Sequence, residues 1–154
     1  MSPDAKRLSG GCQCGAVRYS IPVPTTGVHY CHCRMCQKAV GNLFAALAPV
    51  PTAAVIWTRG GPSVFRSSTA ATRGFCAACG TPLTFAYIGG KHTNFTIGSL
   101  DDPNAVAPEV HYGVEAQVKW LCIADALKRE ATDAAALPRR YPDYVSYQHP
   151  DRDT

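Results

Sequence analysis

The chain has 154 residues, of which 46% are hydrophobic and 17% are charged, and its formal net charge is +4. This length fits one domain, and we expect a single domain over residues 1–154 whose core needs no disulfide for lack of size. The charge is too small for a nucleic-acid-binding surface, which excludes that partner class, although it modestly favours small anionic ligands.

The N-terminal stretch MSPDAKRLSGG contains no apolar segment of the kind found in signal peptides. The most apolar region, NLFAALAPVPTAAVIW, contains two prolines and is shorter than the ~20 residues that a membrane-spanning helix needs. We therefore expect a cytoplasmic protein with no membrane partner. In a reducing compartment, clustered cysteines favour metal binding or catalysis over disulfides.

Short strands dominate the predicted elements, because the β-branched and aromatic segments are each bounded by turn residues. The predicted strands cover residues 16–21, 43–50, 54–58, 63–66, 83–87 and 94–98. A short helical turn is predicted in CRMCQKA and one helix in ADALKRE (124–130). The tail, residues 138–154, is polar and rich in tyrosine, which is typical of a surface strap or a frayed terminus. The fold class is therefore mainly β, with little helix.

Seven of the eight cysteines lie in three motifs, and they divide into a set of four and a set of three. The C-x-C and C-x-x-C pairs form the expected four-ligand set, because C-x-x-C followed by Gly80 turns both sulfurs toward one point. Four thiolates leave zinc no open position, so this site is structural and contributes ~10–16 kcal/mol of apparent binding free energy to folding. Its expected ligands are Cys12, Cys14, Cys76 and Cys79.

The remaining set, Cys31, Cys33 and Cys36, lies within one short segment. Three protein ligands leave the fourth position open, as in catalytic zinc sites. Three thiolates favour a soft incoming ligand, above all another thiol, which would lose its proton there and become a nucleophile.

Other interpretations of these cysteines stay open. A histidine could close the three-cysteine site and make it purely structural; the candidates are His29, His32, His92 and His111. Disulfides and an iron–sulfur cluster fit the compartment and the spacing less well. Cys122 is expected to be a small buried hydrophobe, and Trp57 and Trp120 are expected to pack in the core.

Five segments occur in an order that resembles one known family. They are GGCQCGAVRY, CHCRMCQKA, FCAACGTPLTF, IGSLDDP and PEVHYGVEAQVKWL. The chain resembles the glutathione-dependent formaldehyde-activating enzyme family, whose domain is shared with centromere protein V and whose fold is Mss4-like. The resemblance covers about residues 8–130 and leaves out the tail, residues 138–154.

This resemblance implies short β-sheets stapled by two zinc ions per chain. By motif match, Cys12, Cys14, Cys76 and Cys79 would hold the structural zinc, and Cys31, Cys33 and Cys36 the zinc at the substrate site. The implied activity joins glutathione to formaldehyde and gives S-hydroxymethylglutathione, a carbon–sulfur lyase reaction.

The resulting hypothesis is an enzyme in which a small thiol such as glutathione, held at the second zinc, attacks an aldehyde carbon. His111 is one candidate proton donor, and His32 and His92 are others. Arg34 and Lys38 flank the site and are candidates for a substrate carboxylate, or else form a solvated charged face. The alternative hypothesis is a zinc-stabilised domain that binds a thiol or a protein partner without turnover.

Overall fold

The computed structural model describes residues 6–24, 26–133 and 136–152 of the chain. Over these residues the predicted fold class is confirmed, because the chain forms two β-sheets and little helix. The strands are β1 (Arg7–Gly11), β2 (Arg18–Pro22), β3 (His29–Cys31), β4 (Ala45–Pro51), β5 (Ile56–Arg59), β6 (Ser63–Arg66), β7 (Ala71–Phe75), β8 (Pro82–Tyr87), β9 (His92–Thr96), β10 (Val110–Tyr112) and β11 (Lys128–Glu130). The α-helices are α1 (Arg34–Val40) and α2 (Ala136–Arg140).

The smaller sheet is antiparallel and has the strand order β1-β2-β5. Along β2 the side chains alternate in burial, with Tyr19 and Ile21 inside. This alternation is the pattern of a strand that packs one face on a core. The turn between β1 and β2 carries the C-x-C motif.

The larger sheet has the strand order β11-β10-β3-β4-β9-β8-β7-β6. Strand β3 is an interior strand, paired antiparallel with β4 and parallel with β10. Its last residue, Cys31, lies opposite Ala45 on one side and Tyr112 on the other. The first cysteine of the three-cysteine motif is therefore fixed by backbone pairing on both sides.

The main hydrophobic core joins the two sheets. Tyr19 of the small sheet and Phe95 of the large sheet have ring centroids 4.4 Å apart, and both side chains are buried. The Tyr19 hydroxyl lies 2.6 Å from the Ser99 hydroxyl, so its polar end is paired inside the core. Cys12 and Cys76 belong to the same cluster, which places one residue of each distant cysteine pair at the boundary between the sheets.

Each of the six predicted strand segments overlaps an observed strand, but the predicted helix at 124–130 is wrong. Its last three residues form β11, which pairs in parallel with β10. The Asp125 carboxylate accepts a hydrogen bond from the Leu127 amide and pairs with His111, so local and tertiary contacts replace helical ones. By contrast, CRMCQKA, expected to form one short turn, forms the seven-residue helix α1.

The expectation that Cys122 is a small buried hydrophobe is wrong, because Cys122 is exposed. The expectation that Trp120 packs in the core is also wrong, because its side chain is 75% exposed. Trp57 is also exposed, at 37%, although its ring packs edge-on against Tyr19 at a centroid distance of 5.9 Å. An apolar side chain in a loop can remain exposed, because its residue type alone does not determine whether another part of the protein packs over it.

Residues 141–152, called here the C-terminal strap, cross from the β6–β7 turn to helix α1. At one end, the Thr69 amide donates to the Val145 carbonyl at 2.9 Å, and the Tyr147 amide donates to the Ser67 carbonyl at 3.0 Å. At the other end, Asp151 pairs with Arg34 at 3.0 Å and with Lys38 at 2.8 Å. Of the two interpretations of the tail, the structure corresponds to the surface strap.

Among the helices that the structure describes, none combines the length and apolar character that a bilayer crossing demands.

We expect Phe95→Ala to destabilise the fold by about 3–5 kcal/mol, because it removes a fully buried ring that links the two sheets. Chemical unfolding at fixed zinc concentration measures this loss. Val64→Ala is the matched control: its side chain is 63% exposed on β6, so its effect should stay within about 0.5 kcal/mol. Similar costs for the two variants would contradict a core centred on Phe95.

Candidate metal centres and the pocket beside them

Two hairpin turns from different sheets bring four sulfurs together. Cys12 and Cys14 lie in the β1–β2 turn, and Cys76 and Cys79 lie in the β7–β8 turn. The ligand atoms of these four residues all lie within 4.8 Å of one another. The cysteines that the sequence groups as the structural set therefore meet, across a separation of 62 residues between Cys14 and Cys76.

Backbone geometry in both turns directs these sulfurs. The Val17 amide donates to the Cys12 Sγ at 3.2 Å, and Gly80, with φ of +77°, donates its amide to the Cys76 carbonyl at 2.8 Å. A positive φ is a conformation that glycine adopts at little cost. The Thr81 Oγ1 accepts from the Gln13 amide at 3.1 Å, so Thr81 joins the two turns.

The spacing of the sulfurs fits zinc. The Sγ atoms of Cys12 and Cys14 are 3.6 Å apart, and those of Cys14 and Cys76 are 3.8 Å apart. Tetrahedral zinc with Zn–S bonds of about 2.3 Å places its sulfur ligands about 3.8 Å apart. Hydrogen bonding to the Thr81 hydroxyl, and then to the Thr81 amide, lowers the pKa of Cys79 to about 5, which favours the thiolate that a metal needs.

The second cluster is built by one short segment. Cys31 ends β3, Cys33 is the N-cap of α1, and Cys36 lies in the first turn of that helix. The Sγ atoms of Cys31 and Cys33 are 3.4 Å apart, and the Cys36 amide donates to the Cys33 Sγ at 3.4 Å. The three ligand atoms all lie within 4.8 Å of one another, so this donor set also fits a thiophilic metal.

Two neighbours fix the segment that carries these sulfurs. Gln37 is buried, and its side-chain amide donates to the His32 carbonyl at 2.7 Å and to the Ala116 carbonyl at 2.9 Å. Gly113, with φ of +68°, passes so close that a Cβ there would meet the Cys33 amide nitrogen at 2.8 Å. The loop after β10 therefore supports the Cys31–Cys36 segment.

Arg73 of β7 contacts the second cluster from a distant part of the chain. Its Nη2 atom lies 3.6 Å from the Cys36 Sγ, and its guanidinium lies over the Phe85 ring at 4.9 Å from the centroid. Hydrogen bonds from the Cys31 and Cys33 thiols, followed by the charge of Arg73, lower the pKa of Cys36 to about 2. The positive charge of Arg73 therefore favours a thiolate at Cys36.

Among the described residues, no histidine nitrogen joins either sulfur group. His32 and His111 are fully buried and hydrogen bonded to each other, with the His32 Nε2 2.8 Å from the His111 Nδ1. The other nitrogen of His111, Nε2, lies 3.0 Å from Asp125. Burial, and then the neighbouring His111, lower the pKa of His32, so His32 is neutral at neutral pH.

The other candidate side chains lie elsewhere. His92 is exposed and pairs with Pro51 at the far end of β4, about 20 Å along that strand from Ala45, the partner of Cys31. The structure therefore does not bring His92 to the second cluster. Arg34 and Lys38 are near the cluster in α1, but Asp151 of the strap already pairs with both.

A pocket of about 500 Å³ lies beside Cys36: that cysteine is not among its lining residues, but Arg73, which contacts the Cys36 sulfur, is. Helix α1 provides one wall through Met35 and Lys38, and the β7–β8 region provides another through Arg73 and Phe85. The strap completes it with Tyr147, Gln148 and His149. Volumes of about 300–1,000 Å³ are usual for small-molecule sites.

Comparison with known proteins identifies the family. The sequence profile of the glutathione-dependent formaldehyde-activating enzyme family matches residues 7–116. The chain belongs to that family. This membership confirms the resemblance of the motifs, and it supports a formaldehyde-activating, glutathione-related lyase function at the level of the family.

Two relatives accompany this family match. The chain is 31% identical over 86 residues to a protein of Schizosaccharomyces pombe named as an uncharacterized lyase, a match that covers 56% of this chain. It spans only 62% of that relative's length, which is less than two thirds. A crystal structure of a Rhodobacter sphaeroides protein superposes with a TM-score of 0.53 at 21% identity, covering 61% of this chain and 88% of that one. The second likeness supports the fold alone.

Sequence reasoning missed Arg73 and the wall that the strap provides. Arg73 is separated from Cys36 by 37 positions and lies outside every cysteine motif. The sequence marks Arg73 only by its position three residues before Cys76, and that position does not indicate that Arg73 contacts Cys36 of helix α1. The tyrosines of the tail indicate that the tail packs against the domain, but they do not indicate which element it contacts.

We expect Cys76→Ser and Cys36→Ser to differ in their effect on folding. Cys76 is 1% exposed, and its cluster joins two sheets, so its loss should remove the cooperative thermal transition and lower the β-sheet signal in circular dichroism. Cys36→Ser breaks only the local cluster and should stay folded with one zinc fewer by elemental analysis. Cys122→Ser, at an exposed cysteine outside both clusters, is the control. Equal unfolding of the Cys76 and Cys36 variants would contradict this division.

Proposed function

We propose that the protein is a zinc-dependent carbon–sulfur lyase-type enzyme that joins a small thiol such as glutathione to formaldehyde or another aldehyde. The product is an S-hydroxyalkyl thiol. Family membership and the lyase name of the S. pombe relative support the reaction class. The observation that carries the proposal is the cluster of Cys31, Cys33 and Cys36, which no fourth ligand atom from the described residues completes.

Two zinc ions per chain fit the two clusters. In this proposal Cys12, Cys14, Cys76 and Cys79 hold the structural ion, and Cys31, Cys33 and Cys36 hold the ion at the reaction site. Held by these three thiolates, such an ion would accept a soft sulfur ligand and would favour the deprotonated form of that sulfur. The donor sets differ by one sulfur, and that difference separates the structural role from the reactive one.

The reaction balances without an oxidant. The thiol sulfur gives an electron pair to the aldehyde carbon, a carbon–sulfur bond forms, and the carbonyl π bond opens. The thiol loses one proton, and the new alkoxide oxygen takes one. The chain contributes position and charge: Cys36 is only 5% exposed, whereas Cys31 and Cys33 are partly accessible, and the Arg73 guanidinium beside Cys36 offsets negative charge.

Burial keeps His111 from acting as a direct proton donor at the second cluster. His111, the candidate from sequence, has no exposed surface, and its ring nitrogens engage His32 and Asp125. His111 therefore reaches the second cluster only through His32, which lies between Cys33 and Cys31 in the chain. The proposal accordingly gives His111 an indirect part, in which Asp125 and His32 fix its orientation.

We expect the wild-type protein loaded with zinc to accelerate exchange between glutathione, formaldehyde and S-hydroxymethylglutathione, as measured by exchange spectroscopy in NMR. Cys36→Ser should return the exchange rate to that of the uncatalysed mixture, because it removes one of the three sulfurs. Cys122→Ser should keep the wild-type rate. Binding of glutathione without any acceleration would favour the non-catalytic zinc-stabilised binding domain instead.

A further inference from the structure

The pocket beside Cys36 has positively charged side chains in its wall. Among the residues that the structure describes, its cationic wall residues are Lys38 and Arg73, and no carboxylate lines it. Lys38 is already paired with Asp151. Arg73 has no carboxylate partner among the described residues, and its guanidinium contacts are the Cys36 sulfur and the Phe85 ring. A guanidinium has five N–H donors in a planar fork that suits a carboxylate.

The strap adds an unsatisfied polar group to the same pocket. Gln148 is a wall residue, and within the described part of the chain its Oε1 atom is buried without a hydrogen-bond partner. A buried carbonyl oxygen without a partner carries a free-energy cost that a ligand N–H group would remove. The pocket thus offers donors for a carboxylate at Arg73, and rotation of the Gln148 side chain would present its amide oxygen to a ligand N–H group.

We propose that this pocket selects the thiol: it receives the carboxylate and N–H groups of an amino-acid or peptide thiol, with Arg73 and Gln148 as specificity-determining residues. This assignment rests on the proposed function, because it takes the second cluster as the place of the thiol sulfur. Arg73 connects the two sites, since its guanidinium touches Cys36 and lines the pocket. A thiol whose carboxylate lies several bonds from its sulfur can place the sulfur at the second cluster and the carboxylate in the pocket. The apolar wall residues Met35 and Phe85 cover the carbon chain between its ends.

The strap gives the pocket its selective wall. Residues 141–152 lie beyond the part of the chain that the family profile matches, residues 7–116. They are held to the β6–β7 turn by backbone hydrogen bonds and to α1 by Asp151. The acceptor at Gln148 therefore comes from a segment whose presence the family match does not predict.

Calorimetric titration of the zinc-loaded full-length protein tests the assignment with two probes, glutathione and glutathione diethyl ester. The ester keeps the thiol and the N–H groups but lacks both carboxylates. Wild-type protein should bind glutathione at least about 10-fold more tightly than the ester. Equal affinities would overturn the proposal, and this comparison needs no variant to fold.

Variants then assign the residues. Arg73→Gln should weaken glutathione binding about 10- to 100-fold and leave the ester affinity nearly unchanged, and Arg73→Lys should recover part of the loss. Gln148→Leu should weaken both probes several-fold without lowering thermal stability, because it removes an unsatisfied buried oxygen. Val145→Ala, an exposed strap residue outside the pocket lining, should change neither affinity.

The outcomes separate this proposal from the proposed reaction. Loss of both probes to the same extent in Arg73→Gln would make Arg73 a merely structural residue and overturn its role. Unchanged affinities in Gln148→Leu would overturn the role of Gln148. Exchange rates measured on the same samples test the reaction separately. If glutathione binding depends on Arg73 but the exchange is not accelerated, the lyase reaction alone is overturned. If the exchange is accelerated but glutathione and its diester bind equally tightly, the pocket assignment alone is overturned.

Discussion

The meeting of two hairpin turns at one group of four sulfurs is the constraint on which this structure depends. The β1–β2 turn belongs to the small sheet and the β7–β8 turn to the large one, and Cys12 and Cys76 are buried in the core between them. Fixing the β7–β8 hairpin also fixes Arg73, which lies on β7 and reaches Cys36. The four-cysteine cluster and the three-cysteine cluster are therefore coupled through a single strand, although they share no residue.

The second cluster has a different physical character because it is local. Its three sulfurs come from six consecutive residues, and the short distance costs little loop-closure entropy. Its surroundings, however, come from far away: the loop after β10 supports Cys33, β7 supplies Arg73, and the strap closes the neighbouring pocket. The three-cysteine cluster is thus encoded in one motif, whereas its surroundings are contributed by distant parts of the chain.

The sequence predicted the ligand groups and the strand-rich fold better than it predicted the surroundings of the site. Cysteine spacing is a local signal, and C-x-x-C followed by Gly80 specifies a turn whatever the rest of the fold does. The failure at 124–130 has the opposite origin, since pairing of β11 with the edge of β10 overrides a weak helical pattern. Arg73 and Gln148 could not be assigned, because their partners are fixed by strand order and by the path of the strap.

Gly113 shows that the integrity of a short cysteine motif depends on residues far away in the sequence. Its backbone conformation and its approach to the Cys33 amide exclude a side chain, although it stands 80 positions from that cysteine. A gene variant that places alanine there would disturb the Cys31–Cys36 segment with every cysteine codon intact. A survey that infers an intact Cys31–Cys36 segment from the cysteines alone would overlook such a substitution in a member of this family.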